Sequence, residues 1–305
     1  MSGPGVIPGP EGQTFGGTSR LVRYANFVKL PHTLFALPFA LVGVTIASYV
    51  KQVRLVDIFW VAIAFTAARF AAMGFNRIAD RHIDALNPRT ALRELPSGAM
   101  SVREASLAVL SASAIFLGAA WMLNPLCFAL APIALAWVLF YSYTKRFTRF
   151  AHLVLGVGMS IAPVGGYLAV TGAWSQPWWV LIALAAAVMS WGGGFDIFYA
   201  LQDIEFDRAN GLHSLPARYG TAPAIAIARG LHLLTVAMLT VAGIGIGAGA
   251  FYWAGVCVVA LLLIYEHSLV RPTDLSRIDA AFFTMNGVLS VTFFAFVLVG
   301  RVLAQ

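Results

Sequence analysis

Long apolar runs separated by short polar stretches dominate the chain from about residue 20 onward. Runs of about 17 to 25 apolar residues are long enough to cross the hydrocarbon core of a bilayer as α-helices. Counting them predicts nine membrane-spanning helices, the first running roughly from His32 to Tyr49. The other predicted spans lie near residues 56–75, 103–123, 126–143, 152–171, 177–198, 221–247, 250–268 and 278–300. The pattern therefore predicts an all-α, polytopic membrane protein.

The residues before the first run fall into two parts. Residues 1–19 are rich in Gly and Pro and lack the apolar core of a cleavable signal peptide, so we expect a disordered tail without a function of its own. Residues 20–34 mix basic and apolar side chains, which is typical of an amphipathic segment at the membrane interface. The predicted organisation is thus a short tail followed by one transmembrane domain over residues 20–305.

The composition excludes a soluble globular domain. Of the 305 residues, 60% are hydrophobic and 11% are charged, whereas soluble domains have about 25% charged residues. The net charge of +7 also fits nucleic-acid binding, but the basic residues are scattered among short loops, which favours a topological role and predicts no nucleic-acid partner. Cys127 and Cys257 lie within apolar runs and predict neither a disulfide framework nor a zinc site.

Basic residues are concentrated in alternate loops. The loops after the second, fourth, sixth and eighth predicted spans contain Arg or Lys, and those after the third, fifth and seventh contain none. The loop after the first span, with Lys51 and Arg54, is an exception. By the positive-inside rule the basic loops are cytoplasmic, which predicts an N-terminus inside and a C-terminus outside the cell (inner) membrane.

Residues 76–98 follow the second apolar run and contain the first candidate site. Asn76, Asp80 and Asp84 are four residues apart, so on a helix they project from one face. Like charges at this spacing destabilise a helix by roughly 0.2–0.5 kcal/mol per pair. This unfavourable arrangement is therefore explained only if a cation binds between the acidic side chains. We call these three residues the first ladder.

A second set of oxygen ligands follows the sixth predicted span. Tyr199, Asp203 and Asp207 are again four residues apart, and the topology places them on the same membrane side as the first ladder. Acidic residues at span ends are a functional hypothesis by default, since ordinary solvated loop charges predict neither the repeated spacing nor the two-fold occurrence. We call these residues the second ladder and predict one site shared by both.

Carboxylate oxygens in this number suit Mg²⁺, which usually binds one or two carboxylates together with substrate phosphate. A phosphorylated substrate needs cations nearby. Arg69 lies inside the second span, about two helical turns before Asn76 on the same face, where an arginine is costly unless it meets an anion. Lys145 and Arg146 close the fourth span, and positive-inside anchoring explains them as well as diphosphate contact does. Tyr199 is equally expected as an interfacial anchor.

Other polar residues near the ladders are interpreted as structural. We expect Arg93 and Glu94 to pair or to cap their loop, and His213 to make a structural hydrogen bond. A rival function for the ladders is a divalent-cation transporter, with the carboxylates lining the ion path. Transporters usually bind their ions near the bilayer midplane on broken helices, whereas these acids lie at span ends, which favours an enzyme.

Three motifs together carry a resemblance to a known family. They are N-x-x-x-D-x-x-x-D at Asn76, Asp80 and Asp84, D-x-x-Y-x-x-x-D-x-x-x-D at Asp196, Tyr199, Asp203 and Asp207, and YSYTKRFT at 141–148. With the nine predicted spans, they resemble the UbiA superfamily of membrane aromatic prenyltransferases over the chain from about residue 20. Arg77 departs from the pattern, because many members have an additional Asp directly after the motif asparagine; no metal ligand is expected at that position.

The resemblance implies a nine-helix transmembrane bundle around a central cavity that opens sideways to lipid. It implies Mg²⁺-dependent transfer of a polyprenyl group from a prenyl diphosphate to a hydroxylated aromatic acid, with the loops at 76–102 and 203–220 as a lid. The residues it implicates are catalytic or metal-binding aspartates at Asp80, Asp84, Asp203 and Asp207, a metal-orienting Asn76, and substrate contacts at Arg69, Asn76, Lys145, Arg146 and Tyr199.

Four segments are most similar to one branch of that superfamily. They are KLPHTLFALPFA at 29–40, FNRIADRHIDALNPRTALRELPSG at 75–98, QDIEFDRANGLHSLP at 202–216 and YEHSLVRPTDLS at 265–276. They resemble the MqnP branch, which is assigned to menaquinone synthesis by the futalosine route and whose members often carry the name 4-hydroxybenzoate polyprenyltransferase. The acceptor implied is 1,4-dihydroxy-6-naphthoate. The alternative is 4-hydroxybenzoate, in ubiquinone synthesis, and a porphyrin-type acceptor also stays open.

Overall fold

The computed structural model describes residue 15 and residues 19–275, 277–278 and 285–303, without the side chains of residues 30–35. Most of the predicted tail at 1–19 therefore lies outside the described residues. Within them the chain forms twelve α-helices and no strand. The helices are α1 (Arg20–Phe27), α2 (Leu30–Ala47), α3 (Leu55–Leu86), α4 (Val102–Leu123), α5 (Pro125–Phe140), α6 (Ala151–Thr171), α7 (Trp179–Ala200), α8 (Ile204–Ala209), α9 (Leu215–Tyr219), α10 (Thr221–Gly245), α11 (Ala250–Leu269) and α12 (Asn286–Leu303).

The predicted fold class, an all-α polytopic membrane protein, is confirmed. Eight helices in the described part of the chain are long and apolar enough to cross a bilayer. The remaining predicted span corresponds to α2, whose described apolar portion, Ala36–Ala47, is shorter than a full crossing. The glycine-rich segment GIGIGAGAF at 243–251 contains the turn between α10 and α11.

Polar caps fix where the helices begin. The side chain of Ser101 accepts a hydrogen bond from the backbone N–H of Glu104 at the start of α4, and that of Asn124 accepts one from Cys127 at the start of α5. The Asn124 amide also donates to the carbonyl oxygens of Leu168 and Ala169 at the end of α6. One side chain thus starts α5 and ties it to its neighbour.

Small residues bring the central helices together. A Cβ atom at Gly166 of α6 would collide with the carbonyl oxygen of Ala40 on α2, and one at Gly156 would collide with that of Met189 on α7. Close backbone approach at small residues is the usual way in which membrane helices associate, since lipid provides no hydrophobic drive. This packing holds α6 between α2 and α7, and the second ladder begins at the end of α7.

Candidate functional site

A cavity of about 730 Å³ lies between the central helices. One end is polar and is formed by the end of α3, the end of α7 and the loops that follow them, whereas apolar side chains of α3 to α6 line the rest. All nine predicted site residues line this cavity, namely Arg69, Asn76, Asp80, Asp84, Lys145, Arg146, Tyr199, Asp203 and Asp207. The structure therefore brings the two ladders and the predicted cations to one place.

The first ladder has the predicted geometry, because α3 runs unbroken through Leu86. Asn76 Nδ2 donates a hydrogen bond of 2.9 Å to Asp80 Oδ2. The other oxygen of Asp80 forms an ion pair of 3.1 Å with Arg146, which also donates to the carbonyl oxygen of Ala79. Arg146 is 39% exposed in its side chain, so this pair lies at the rim of the cavity.

The last residue of the first ladder is more deeply placed. Asp84 is buried, and one of its oxygens pairs with Arg93 at 2.8 Å, while the hydroxyl of Thr90 donates to its backbone carbonyl. The sequence indicated a local role for Arg93 in its own loop, and the structure adds this ion pair to the ladder. The second carboxylate oxygen of Asp84 is buried and has no hydrogen-bond partner among the described residues.

The second ladder, unlike the first, does not lie on one continuous helix. Tyr199 is the penultimate residue of α7, Asp203 closes a 3₁₀ segment over Leu201–Asp203, and Asp207 lies in the short helix α8. A 3₁₀ segment advances 120° per residue instead of 100°, so side chains four residues apart no longer project from the same face across it. The three side chains nevertheless line the same cavity, and one oxygen of Asp207 is buried without a hydrogen-bond partner in the described chain.

A buried arginine, not identified from the sequence, holds the second ladder. Arg89 donates to both oxygens of Asp203, at 3.0 and 2.5 Å, and to the hydroxyl of Tyr199, over whose ring its guanidinium lies at 4.6 Å. Asn87 donates to the same carboxylate at 3.0 Å. Burial opposes the charged guanidinium, but the attraction of Tyr199 and Asp203 outweighs it and raises the pKa of Arg89 above its ordinary value. We call this arrangement the Arg89 clasp.

The predicted cations differ in their surroundings. Arg69 is deep in the cavity, and its Nε is buried with no hydrogen-bond partner in the described part of the chain. Lys145 faces the second ladder, and its backbone carbonyl accepts a hydrogen bond of 2.7 Å from the N–H of His213, which joins the two loops. Arg77, the departure from the motif, is buried and donates to the carbonyl of Phe27 at the end of α1, so that it anchors this helix.

Two further residues at the site were not identified from the sequence. His152 is fully buried, and its Nδ1 lies 2.6 Å from a carboxylate oxygen of Asp196, which lines the cavity. The backbone N–H of Leu215 donates to Nε2 at 3.4 Å, so the ring proton resides on Nδ1 and is donated to Asp196. Lys29 lines the cavity with a left-handed backbone, φ 47°, and its ammonium lies 5.9 Å from the ring centre of Tyr199.

The donor set suits a hard cation such as Mg²⁺. Asp84 and Asp207 each present a buried oxygen without a hydrogen-bond partner among described residues, one from each ladder. In the described part of the chain, no group of three or more His, Cys, Asp or Glu side chains is close enough to form a metal site on its own. Mg²⁺ commonly completes its coordination with water and substrate phosphate, so this sparse set fits a cation that arrives with a diphosphate.

Comparison with known proteins agrees with this site. The chain matches the UbiA prenyltransferase family over residues 36–288. It is 31% identical over 218 residues to a 4-hydroxybenzoate octaprenyltransferase of Alkalilimnicola ehrlichii, covering 72% of this chain and 73% of that protein. The family match includes both ladders and most of the residues that line the cavity.

Two solved structures resemble the fold. A UbiA homolog from Aeropyrum pernix K1 in its apo form has a TM-score of 0.81 and 35% identity, covering 88% of this chain and 97% of that one. A UbiA homolog from Archaeoglobus fulgidus bound to GPP and Mg²⁺ has a TM-score of 0.72 at 22% identity, covering 92% and 99%, and it supports the fold alone. With the family match over most of its length, the chain belongs to the UbiA prenyltransferase family and is a multi-pass membrane prenyltransferase.

Proposed function

We propose that the protein transfers a polyprenyl group from a polyprenyl diphosphate to the ring of a hydroxylated aromatic acid. The observation that carries the proposal is the division of one cavity into an end with two acidic ladders and several cations, and a long apolar remainder. A prenyl diphosphate has the same division, with a charged head and a hydrocarbon tail. The Alkalilimnicola relative supports the reaction class, because it is named for octaprenyl transfer. A solved structure with the same fold holds GPP and Mg²⁺.

At the polar end, Asp80 and Asp84 of the first ladder and Asp203 and Asp207 of the second would hold Mg²⁺, with Asn76 orienting the first carboxylate. When bound, Mg²⁺ neutralises charge on the diphosphate and makes it a better leaving group. The unpartnered oxygens on Asp84 and Asp207 support this role.

The cations at the same end fit the diphosphate itself. Arg69, Lys145 and Arg146 line the polar part of the cavity and would stabilise the negative charge that grows as the diphosphate leaves. Arg69 supports this most directly, since the burial of its unpaired Nε is costly unless an anion binds there. Tyr199 would contact the substrate from the second ladder.

The apolar part of the cavity fits the prenyl tail. Leu130 and Ile133 of α5 line the cavity, and their side chains are 40% and 67% exposed, more than an enclosed cavity wall would allow. The cavity therefore reaches the lipid-facing side of the bundle beside α5. A tail longer than the cavity can leave through this side into the bilayer, where its hydrocarbon remains out of water.

In the proposed reaction the allylic C–O bond to the diphosphate breaks and an allylic cation forms. The electron-rich ring attacks the cation through carbon, a C–C bond forms, and the ring then loses one proton to regain aromaticity. Water must be kept out, because it would capture the same cation. The Arg89 clasp and the hydrogen bond between His213 and Lys145 join the loops that close the polar end, in accordance with the expected lid.

For the acceptor, the relatives favour the alternative over the expectation drawn from the motif segments. The Alkalilimnicola protein is a 4-hydroxybenzoate octaprenyltransferase, so 4-hydroxybenzoate is supported better than 1,4-dihydroxy-6-naphthoate. The segments that resemble the menaquinone branch keep the naphthoate as the second candidate. The test is to incubate the purified protein with Mg²⁺, a labelled polyprenyl diphosphate and each acid in turn. Prenylation of neither acid would contradict the proposal.

We infer that the polar end of the cavity lies on the cytoplasmic side of the cell membrane, as the alternation of basic loops predicts. Ala99 lies in the loop after α3 and Ala209 is the last residue of α8, so Ala99→Cys and Ala209→Cys test both segments of this end. Neither native cysteine is in a disulfide. In a background without Cys127 and Cys257, both introduced cysteines should react with a membrane-impermeant thiol reagent only after the cells are opened. Labelling of intact cells would overturn the assignment.

A further inference from the structure

A second, smaller cavity of about 270 Å³ lies on the outer surface beside α10. Pro223, Ile227 and Leu231 form one wall, spaced four residues apart along one face of that helix. Phe150, Leu153, Leu215 and Tyr219 form the facing wall. We call this cavity the α10 groove. Among the described residues, Tyr219 contributes the only polar side-chain group that lines the groove, and no acidic residue lines it.

The α10 groove lies at the depth of one lipid leaflet, starting at the membrane interface. It begins two residues after the start of α10 and continues to Leu231, a rise of about 12 Å at about 1.5 Å per residue. The hydrocarbon core of a bilayer is about 30 Å thick, so the groove extends from the interface over most of one leaflet. Its occupant therefore lies at the depth of an acyl chain close to its headgroup.

A cation lies at the mouth of the groove. The guanidinium of Arg149 lies 5.1 Å from the ring centre of Phe150 and 5.7 Å from that of Tyr219, both of which line the groove. Arg149 has no acidic partner among the described residues, whereas the nearby Arg208 is paired with Glu205. The catalytic cavity does not include Arg149, and the sequence explained it only as one of several basic loop residues.

We propose that the α10 groove binds one anionic phospholipid, with an acyl chain between α10 and α9 and the headgroup phosphate on Arg149. Apart from Tyr219, the described side chains that line the groove are apolar and fit hydrocarbon, while the Arg149 guanidinium, held close to two rings, can donate to phosphate. The charge of Arg149 selects an anionic lipid over a zwitterionic one, since it has no carboxylate to compensate it.

The proposal is tested by titrating the purified full-length protein with phosphatidylglycerol and with phosphatidylcholine, and by counting bound lipids with native mass spectrometry. We expect the first phosphatidylglycerol to bind about five-fold more tightly than phosphatidylcholine, the effect of one basic residue at a membrane surface. Arg149→Gln should lose this preference. Arg103→Gln removes an exposed arginine from the first turn of α4, at the same end of the bundle, and should keep it.

A second variant separates the groove from charge alone. Ile227→Trp fills the groove without altering Arg149 and should also abolish the tight first site, while thermal unfolding confirms that the variant is folded. Equal binding of both lipids by the parent protein would overturn the proposal. A parent-like preference in Arg149→Gln, or an equal loss in Arg103→Gln, would do so too. These measurements detect lipid and not turnover, so they stand apart from the outcome of the prenyl-transfer assay.

Discussion

The two ladders reach the same cavity by different routes. The first lies on one unbroken helix, where Asp80 forms a half-exposed ion pair with Arg146 at the cavity rim. The second is broken by a 3₁₀ segment, and its Asp203 is buried in the Arg89 clasp, with side-chain exposures of 9% for Asp203 and 8% for Arg89. Identical spacing in the sequence therefore leads to one rigid, partly solvated ladder and one that depends on a partner from another loop.

The two ladders therefore differ in what holds their carboxylates in place. A carboxylate on a continuous helix is positioned by its own backbone, and it needs little else to face a cation. Asp203 is positioned by donors 116 and 114 residues away in the chain, Asn87 and Arg89, so its geometry depends on contact between the two loops. The first ladder is thus held by one helix, and the second by side chains from a separate loop.

The largest expected effect is the loss of turnover when a carboxylate is removed from either ladder. Asp80→Ala and Asp203→Ala should each reduce prenyl transfer by about 10³-fold, because each removes a carboxylate from the end of the cavity where leaving-group charge develops. Glu205→Ala is the matched control, since it removes an acid 91% exposed in its side chain from the same stretch and should leave turnover unchanged. Near-normal turnover of either ladder variant at ordinary Mg²⁺ concentration would contradict a shared site.

The second prediction concerns how much each ion pair stabilises the fold. Arg89→Ala leaves Asp203 buried beside a missing charge and should lower the free energy of unfolding by about 3 kcal/mol or more. Arg146→Ala acts on a pair exposed at the rim and should cost less than about 1 kcal/mol.

A double-mutant cycle on each pair measures this contrast directly. Unfolding in detergent would be followed for Arg89→Ala, Asp203→Ala and their combination, and for the equivalent set at Arg146 and Asp80. Asp203 keeps its hydrogen bond from Asn87 in the single Arg89 variant, which makes the cycle preferable to one substitution. Equal coupling energies in the two cycles would remove the distinction between the ladders.

The contrast between the ladders also explains what the sequence revealed. The apolar runs predicted the transmembrane helices, because span length is set by the bilayer and little else. The first ladder was predicted because helical periodicity continues through Leu86. The break after Ala200 was not, since a short 3₁₀ segment uses the same residues as a helix end and has no distinctive composition.

The contacts that complete the site were beyond sequence reasoning for a different reason. Arg89 and Asp203 are 114 residues apart, and His152 and Asp196 are 44 apart, so no local spacing connects them. Arg89 gave one weak signal, its position in the same polar stretch as the first ladder. His152 gave none, because a lone histidine at the start of an apolar run is most often structural.

The third prediction has the smallest expected effect. It concerns Arg69, which lies on α3 about two helical turns before Asn76. Arg69 has no ion pair in the described chain, so it does not serve to neutralise Asp80. Arg69→Leu should therefore insert and unfold like the parent protein, whereas its affinity for the prenyl diphosphate should fall by about 10- to 100-fold, the usual value of a hydrogen bond to a charged group. Its affinity for the aromatic acid should change little.

Arg229→Leu provides the matched control for Arg69, because it removes an exposed arginine that lies on α10 and does not line the cavity. Affinity and thermal stability should be measured on the same sample of each variant. If Arg69 held the first ladder together by charge, its removal would leave uncompensated acids, so stability would fall while diphosphate affinity stayed constant. That outcome would mean that Arg69 stabilises the fold and does not bind the diphosphate. Lost affinity at unchanged stability would instead indicate that Arg69 contacts the diphosphate.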